Sequence, residues 1–481
     1  KTMVTCGILE LLKRKQKNPF SYKCGPDYID GLFHRKVLGI EGGNLDSFFE
    51  QPQDIREKYA AVSETHFPVV EGVMGYFDGL GGDTTAASSW EVADILNLPV
   101  VLVVDAKGAS LSLAALIKGF QVFQGESQSS QANKNGNHIQ AVILNRISPM
   151  LYPRMKAVIE KKTGVLVAGY VPELDFWQVG SRHLGLVLPG EIENLQEQMR
   201  QLGDCLEKTL DVDVLLKLGE KADIDVLGSV TVTADGSSQK CEAQKNADLV
   251  LQNQFAGEKI SHSAIPIRLG VAWDEAFCFY YRDNLEFLEK QGVQIVQFSP
   301  VHDKHLPDDL DGLLLGGGYP ELYAKALEEN ETIRNEIRRK AEEDMPILAE
   351  CGGYLYLLKE LEDENGTGYE MAGVFSGKGY KKGKNSHFGY ITVQTEKDSL
   401  YLKAGETIKG HEFHYWESTQ DENELKMQAK KPTGKRSWPC VTVKNQVMAG
   451  FPHLYYPSLE GFGERFVQAC DRYRMKRKRQ Q

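Results

Sequence analysis

Paired cysteines are the first thing this chain lacks. Its eight cysteines, at positions 6, 24, 205, 241, 278, 351, 440 and 470, form no C-x-x-C pair and keep no zinc-like spacing from histidines. That excludes a disulfide scaffold and a structural metal, and it points to a reducing, cytoplasmic setting. No apolar run approaches the length of a membrane span, and no signal-peptide pattern opens the chain, which begins at Lys1 rather than Met. Positive charge is also short: 56 Lys and Arg stand against 67 Asp and Glu, a formal net charge of -11. A protein held to nucleic acid by phosphate contacts needs the opposite balance, so no nucleic-acid partner is expected. The basic run from Arg472 to Arg479 reads as a solvated helix end.

What is present is an ordinary globular composition, 41% hydrophobic and 26% charged, over 481 residues. That length exceeds what one hydrophobic core organises, so two domains and a connector are expected. The pattern weakens into polar residues from Asp223 to Ser263, which places a linker at 223–265 between domains 1–222 and 266–481. Both domains read as α/β, each built on a mostly parallel sheet.

In the second domain, Pro346 to Ala349 is a short strand-like run, and Tyr354, Leu357 and Leu358 follow at helical spacing. Cys351 therefore falls on a sharp strand-to-helix turn, the geometry of a nucleophile elbow. The free amides at the helix start are expected to favour thiolate over thiol. Gly352 and Gly353 leave room for an incoming carbonyl. Upstream, the apolar strand Leu313 to Leu315 ends in Gly316, Gly317 and Gly318, a loop able to turn N–H groups toward an oxyanion. The expected oxyanion donors are Gly316, Gly317 and Gly352, and His453, far along the chain, is the candidate general base. These three elements, in this order, resemble the class I glutamine amidotransferase domain, with a flavodoxin-like sheet. Most of that class carry a glutamate two residues after the histidine, where this chain has Tyr455. The resemblance then implies a Cys–His dyad.

In the first domain, Lys1 and Thr2 open a helix whose apolar face is Val4, Ile8, Leu11 and Leu12, like the end of a phosphate-binding loop (P-loop) without its glycines. Apolar strands ending near Asp27 and Glu71 follow, and strand ends gather at one edge of a doubly wound sheet. Thr2, Asp27 and Glu71 are therefore expected to converge on one Mg2+ ion, for which hard oxygen ligands are suited. Two more strands, Pro99 to Asp105 and Ile139 to Asn145, read as buried on both faces, with Asn145 placed to read an adenine edge or serve a turn. Val165 to Pro172 is a further strand, and Gln121 to Asn137 a surface loop.

Lys23 to Asp30 (KCGPDYID), Glu71 to Gly79 (EGVMGYFDG), Arg182 to Leu186 (RHLGL) and Asp274 to Leu285 resemble the cobyrinate a,c-diamide synthase family, whose ATP-binding half is akin to dethiobiotin synthetase. The aromatics of the last segment read as the apolar face of a helix. The resemblance implies ATP as co-substrate with Lys1 on its phosphates, Mg2+ held by Thr2, Asp27 and Glu71, and Asp30 and Asp78 in the same cleft. It implies glutamine-hydrolysing amidation of the a and c acetates of cobyrinate in cobalamin biosynthesis, with cobyrinate, L-glutamine and ATP as small-molecule partners and a possible homodimer. Hydrogenobyrinate and nickel-sirohydrochlorin are alternative substrates, and a non-catalytic nucleotide-switch scaffold is the alternative from another class. Gly410 to Tyr415 (GHEFHY) is a hallmark of the same family; its His411, Glu412 and His414 make only a weak metal pattern.

Overall fold

The computed structural model describes residues 1–123, 138–177, 181–182, 185–186, 194–220, 266–383, 387–420 and 425–480. The expected linker, most of the Gln121 to Asn137 loop, Cys241, and His183 and Leu184 lie outside the described residues.

Helix α1 (Thr2–Arg14) buries Val4, Leu11 and Leu12, and Ile8 is half-buried, so the predicted apolar stripe faces the core. Two parallel three-stranded sheets follow. One has the order β2 (Gly42–Leu45), β1 (Pro19–Cys24), β3 (Phe67–Glu71); the other runs β4 (Val100–Asp105), β5 (Ile139–Asn145), β6 (Leu166–Val171). All-parallel pairing matches the β-branched runs that mark these strands. Strand β4 departs from the expected double burial: Val100 to Val103 are only half-buried, because they line a cavity of 370 Å³ shared with β3 and α1. Val69, Val70, Val4 and Lys1 also line it.

In the second half a ten-stranded sheet begins with five parallel strands: Val293–Phe298, Ile267–Ala272, Gly312–Leu315, Ile347–Glu350 and Val447–Gly450. Leu313 to Leu315 and Ile347 to Ala349 are fully buried, each large apolar side chain contributing about 1.5–3 kcal/mol. The sheet then continues antiparallel through Ser437–Lys444, Leu425–Lys430, Phe388–Gln394 and Thr407–Phe413 to His453–Leu454. His453 follows the parallel strand Val447–Gly450 by three residues, ends the sheet by pairing with His411, and lies beside Gly317. The aromatics expected on a helix face instead form strand Phe277–Phe279, paired with Gly317–Gly318; the helix starts only at Arg282. The basic C-terminal helix is less solvated than its composition implies, since Arg474 is buried and Arg477 pairs with Asp311.

The two halves touch through aromatic and charged contacts. Tyr28 stacks on Phe279 at 5.5 Å and Phe49 on Tyr455 at 4.9 Å, while Lys58 pairs with Asp283 at 2.7 Å. Tyr455, at the position of the missing glutamate, also donates its hydroxyl to Asp283 at 3.1 Å. Its ring is therefore a contact between halves.

Candidate active site

Cys351 has φ +49° and ψ −102°, backbone angles that a non-glycine residue rarely adopts, and it immediately precedes helix Gly352–Leu357. Its own amide is bound by the Gly450 carbonyl at 2.8 Å, which fixes the elbow to the neighbouring strand. The glycines at the helix start have a concrete reason: a Cβ at Gly353 would stand 2.1 Å from the Leu315 carbonyl oxygen, and one at Gly352 2.9 Å from Pro320 Cδ. The elbow, the glycine turn and His453 meet in one place. A Cβ on Gly317 would stand 2.3 Å from His453 Cε1, and the Gly318 nitrogen lies 3.1 Å from the Cβ position of Gly352. Gly317→Ala should therefore push the imidazole aside and lower any His453-dependent turnover about 100-fold, with a thermal melt checking that the fold persists.

Two expectations need correction. Gly316 cannot offer its N–H to an oxyanion, because that amide already donates to the Tyr280 hydroxyl at 2.8 Å. Gly318, which the motif did not single out, presents its nitrogen toward Gly352 instead. The second concerns the thiol. Burial pushes Cys351 well above the ordinary thiol range, the Glu321 carboxylate adds to this, and the opposing Gly352 amide is too little to favour thiolate. His453 is pushed down to about 3 by burial and then by His414. The resting pair is thus neutral thiol and neutral imidazole.

The GHEFHY segment builds the layer around this imidazole. His411 pairs in register with His453, and their rings stack at 5.0 Å and 18°. The Tyr281 hydroxyl holds His411 Nδ1 at 2.8 Å, and Tyr28 from the first half lays its ring 5.3 Å from His453. His414 stacks on Phe451 at 3.9 Å, and the Trp438 indole donates to Glu412 at 3.2 Å. Among the described residues no three His, Cys, Asp or Glu side chains are grouped to hold a metal.

The first half carries a second polar centre. Thr2 Oγ1 donates to Glu71 Oε1 at 2.8 Å and to Asp30 Oδ2 at 3.2 Å. Lys23 Nζ bridges the same two carboxylates, at 2.9 Å from Glu71 and 2.5 Å from Asp30. Asp27, expected beside Thr2 and Glu71, instead caps helix α2 (Ile29–Phe33): its Oδ1 accepts from the Ile29 and Asp30 amides at 2.9 and 3.1 Å. A carboxylate just before a helix satisfies that helix's free amides first, and Asp30 takes the place in the cluster. Asp27 remains close enough that burial, and then Asp30, push it up to about 6. Glu71 Oε2 is buried without a hydrogen bond and faces His34 Nε2 at 3.9 Å. Asp78 is exposed and accepts from the Gly75 amide at 2.8 Å, a turn role that leaves it outside the Thr2–Glu71 cluster. Lys1 Nζ donates to the Met74 carbonyl, and Asn145 ends β5 with Oδ1 buried and unpartnered. Lys23 was quoted in the motif without a role; its cue is a lysine at a buried strand end among acids.

Parallel sheets with a nucleophile elbow in one half and a hydroxyl–carboxylate cluster in the other define a two-centre α/β protein with a glutamine amidotransferase-type second half. Residues 268–459 match the CobB/CobQ-like glutamine amidotransferase domain. Cobyrinate a,c-diamide synthase of Caldanaerobacter subterraneus is 35% identical over 98% of this chain and 96% of its own. The proteins of that name from Streptococcus sanguinis and Salmonella typhimurium are 37% and 36% identical, over 95% and 86% of this chain and 93% and 83% of their own. The chain belongs to the cobyrinate a,c-diamide synthase family.

Proposed function

We propose that the protein converts the a and c acetate side chains of cobyrinate to amides in cobalamin biosynthesis, consuming one glutamine and one ATP per amide. The observation that carries this is the near full-length likeness to synthases of that name, joined to an elbow cysteine and a histidine on one glycine turn. Residues 1–222 form the ATP-binding ligase domain, 223–265 the linker and 266–481 the glutaminase, in a cytoplasmic enzyme.

In the glutaminase, Cys351 sulfur bonds to the carboxamide carbon of glutamine as its proton passes to His453 Nε2. The amides of Gly317 and Gly352, with that of Gly318 beside them, are the donors proposed to receive the oxyanion. The imidazolium returns the proton to the leaving nitrogen, ammonia departs, and a thioester remains. Water then attacks, giving up its proton to His453 and releasing glutamate and the thiol. In the first half the terminal phosphoryl group of ATP passes to a substrate carboxylate, and ammonia displaces phosphate from that mixed anhydride. Lys1 would bind phosphate oxygens and Asn145 would meet the base. Thr2, Glu71 and Asp30, with Asp27 adjacent, would hold Mg2+, which neutralises phosphate charge when bound.

The test is incubation of the full chain with glutamine, Mg-ATP and each of cobyrinate, hydrogenobyrinate and nickel-sirohydrochlorin, read by mass spectrometry. Two carboxyl-to-amide conversions on cobyrinate are expected. Double amidation confined to another macrocycle overturns the substrate, and none on any overturns the reading.

A further inference from the structure

In the glutaminase chemistry above, on which this inference rests, His453 must accept at Nε2 and then carry a positive charge. A base of this kind needs an acid at its other ring nitrogen, to fix the tautomer and stabilise the imidazolium. Tyr455 cannot supply it. Another residue stands where the acid belongs. Glu350 ends the strand that leads into the elbow, and its Oε2 lies 3.9 Å from His453 Nδ1. Its Oε1 accepts from the Leu454 amide at 3.2 Å and the Tyr456 hydroxyl at 3.1 Å, so the carboxyl group is aimed. His453 Nδ1 is buried and has no hydrogen bond, while the Cε1 edge of the ring faces the glycine turn with Nε2 the nearer of the two nitrogens. Strand pairing fixes the arrangement: Glu350 is in register with Gly450, three residues before His453.

We propose that Glu350 is the positioning acid of this centre, accepting from His453 Nδ1–H once glutamine closes the 3.9 Å gap and so reserving Nε2 for the Cys351 proton. Hydrogen bonds of catalytic groups are often long before substrate binds. The carboxyl belongs to the residue before the nucleophile, so one strand end would supply both the attacking thiol and the acid that orients its base.

The titratable groups around the pair are Tyr28 from the first half, Tyr280 and Tyr281, Cys351, His411, Glu412, His414 and Tyr456. Burial pushes Glu350 up to about 8, against the Leu454 amide and Tyr456 hydroxyl. Cys351 lies well above that value and His453 well below it, so neither titrates in the same window. Only the ionised carboxylate stabilises imidazolium; glutamine hydrolysis should therefore rise with pH through about 8.

Glu350→Gln separates charge from architecture, because the amide oxygen still accepts from Leu454 and Tyr456. Its NH2 would face Nδ1 and favour the wrong tautomer. In the full chain this variant should lose about 1,000-fold in kcat for glutamate release, with little change in KM. It should also lose the rise through about 8, yet keep wild-type amidation when ammonium replaces glutamine. Glu350→Asp should recover part of the rate and the rise. A Glu350→Gln enzyme with near wild-type kcat and the same pH rise, beside an inert Cys351→Ala enzyme, overturns this inference alone. Glutamine hydrolysis surviving in Cys351→Ala overturns the glutaminase reading and this inference together.

Discussion

Cys351→Ala should abolish glutamine hydrolysis while leaving ammonia-dependent amidation at its wild-type rate. The size of the effect follows from the chemistry: without sulfur there is no thioester, and what survives is the residual of about 10³–10⁴-fold over water that oxyanion donors and binding supply in such centres. The substitution is small enough to isolate chemistry from folding. Alanine keeps the Cβ, the Cys351 amide still meets the Gly450 carbonyl, and the strained φ of +49° is unchanged. Glutamate release and amide formation from ammonium chloride, measured on the same preparation, give the split. Loss of both activities would mean that the elbow supports the other centre structurally. Retention of both would remove the thiol from the reaction.

The largest stability effect is expected at Lys23. Its side chain is 6% exposed between Asp30 at 7% and Glu71 at 1%, so Lys23→Met leaves two buried carboxylates without their counter-ion. Breaking a buried pair from one side costs about 3–5 kcal/mol, far more than the net worth of the pair. Urea unfolding followed by a first-half probe should show a loss of that order. The pH dependence has a definite sign. Burial alone would lower the Lys23 pKa, but Glu71, then Asp30 and Asp27, more than reverse it and hold it above the ordinary lysine value of 10.5. A cation raised on folding contributes fully below its unfolded pKa and is lost as pH climbs through the folded one. The difference between wild type and Lys23→Met should therefore persist across neutral pH and shrink only under strongly alkaline conditions.

How much of this was legible in the sequence depended on the range of the interactions. The Cys351 elbow was readable because strand, glycine pair and helix are adjacent, and each obeys local rules. The oxyanion donors were readable only as a loop: that the Gly316 amide is occupied is decided by Tyr280, 36 residues away. Asp27 carries a second role that the sequence left unread, because a strand-end acid and a helix cap share one appearance: its Oδ1 accepts from the Ile29 and Asp30 amides. Phe277 to Phe279 became a strand because Gly317–Gly318 offered pairing partners that helical spacing does not reveal. The GHEFHY segment had no readable role, since its meaning lies in the register that sets His411 against His453. Glu350 was overlooked for a similar reason: beside a nucleophile it reads as one more strand-end acid until the parallel pairing with Val447–Gly450 sets His453 next to it.

The turn holding Tyr28 sits between Asp27, which caps α2, and Asp30, which joins Thr2 and Lys23, while its ring rests on the imidazole of the opposite half. One short turn thus carries both a helix cap and a member of the first polar cluster, and between them the ring that meets the imidazole across the seam, so the two centres are separated by less than a turn of chain on the first-half side.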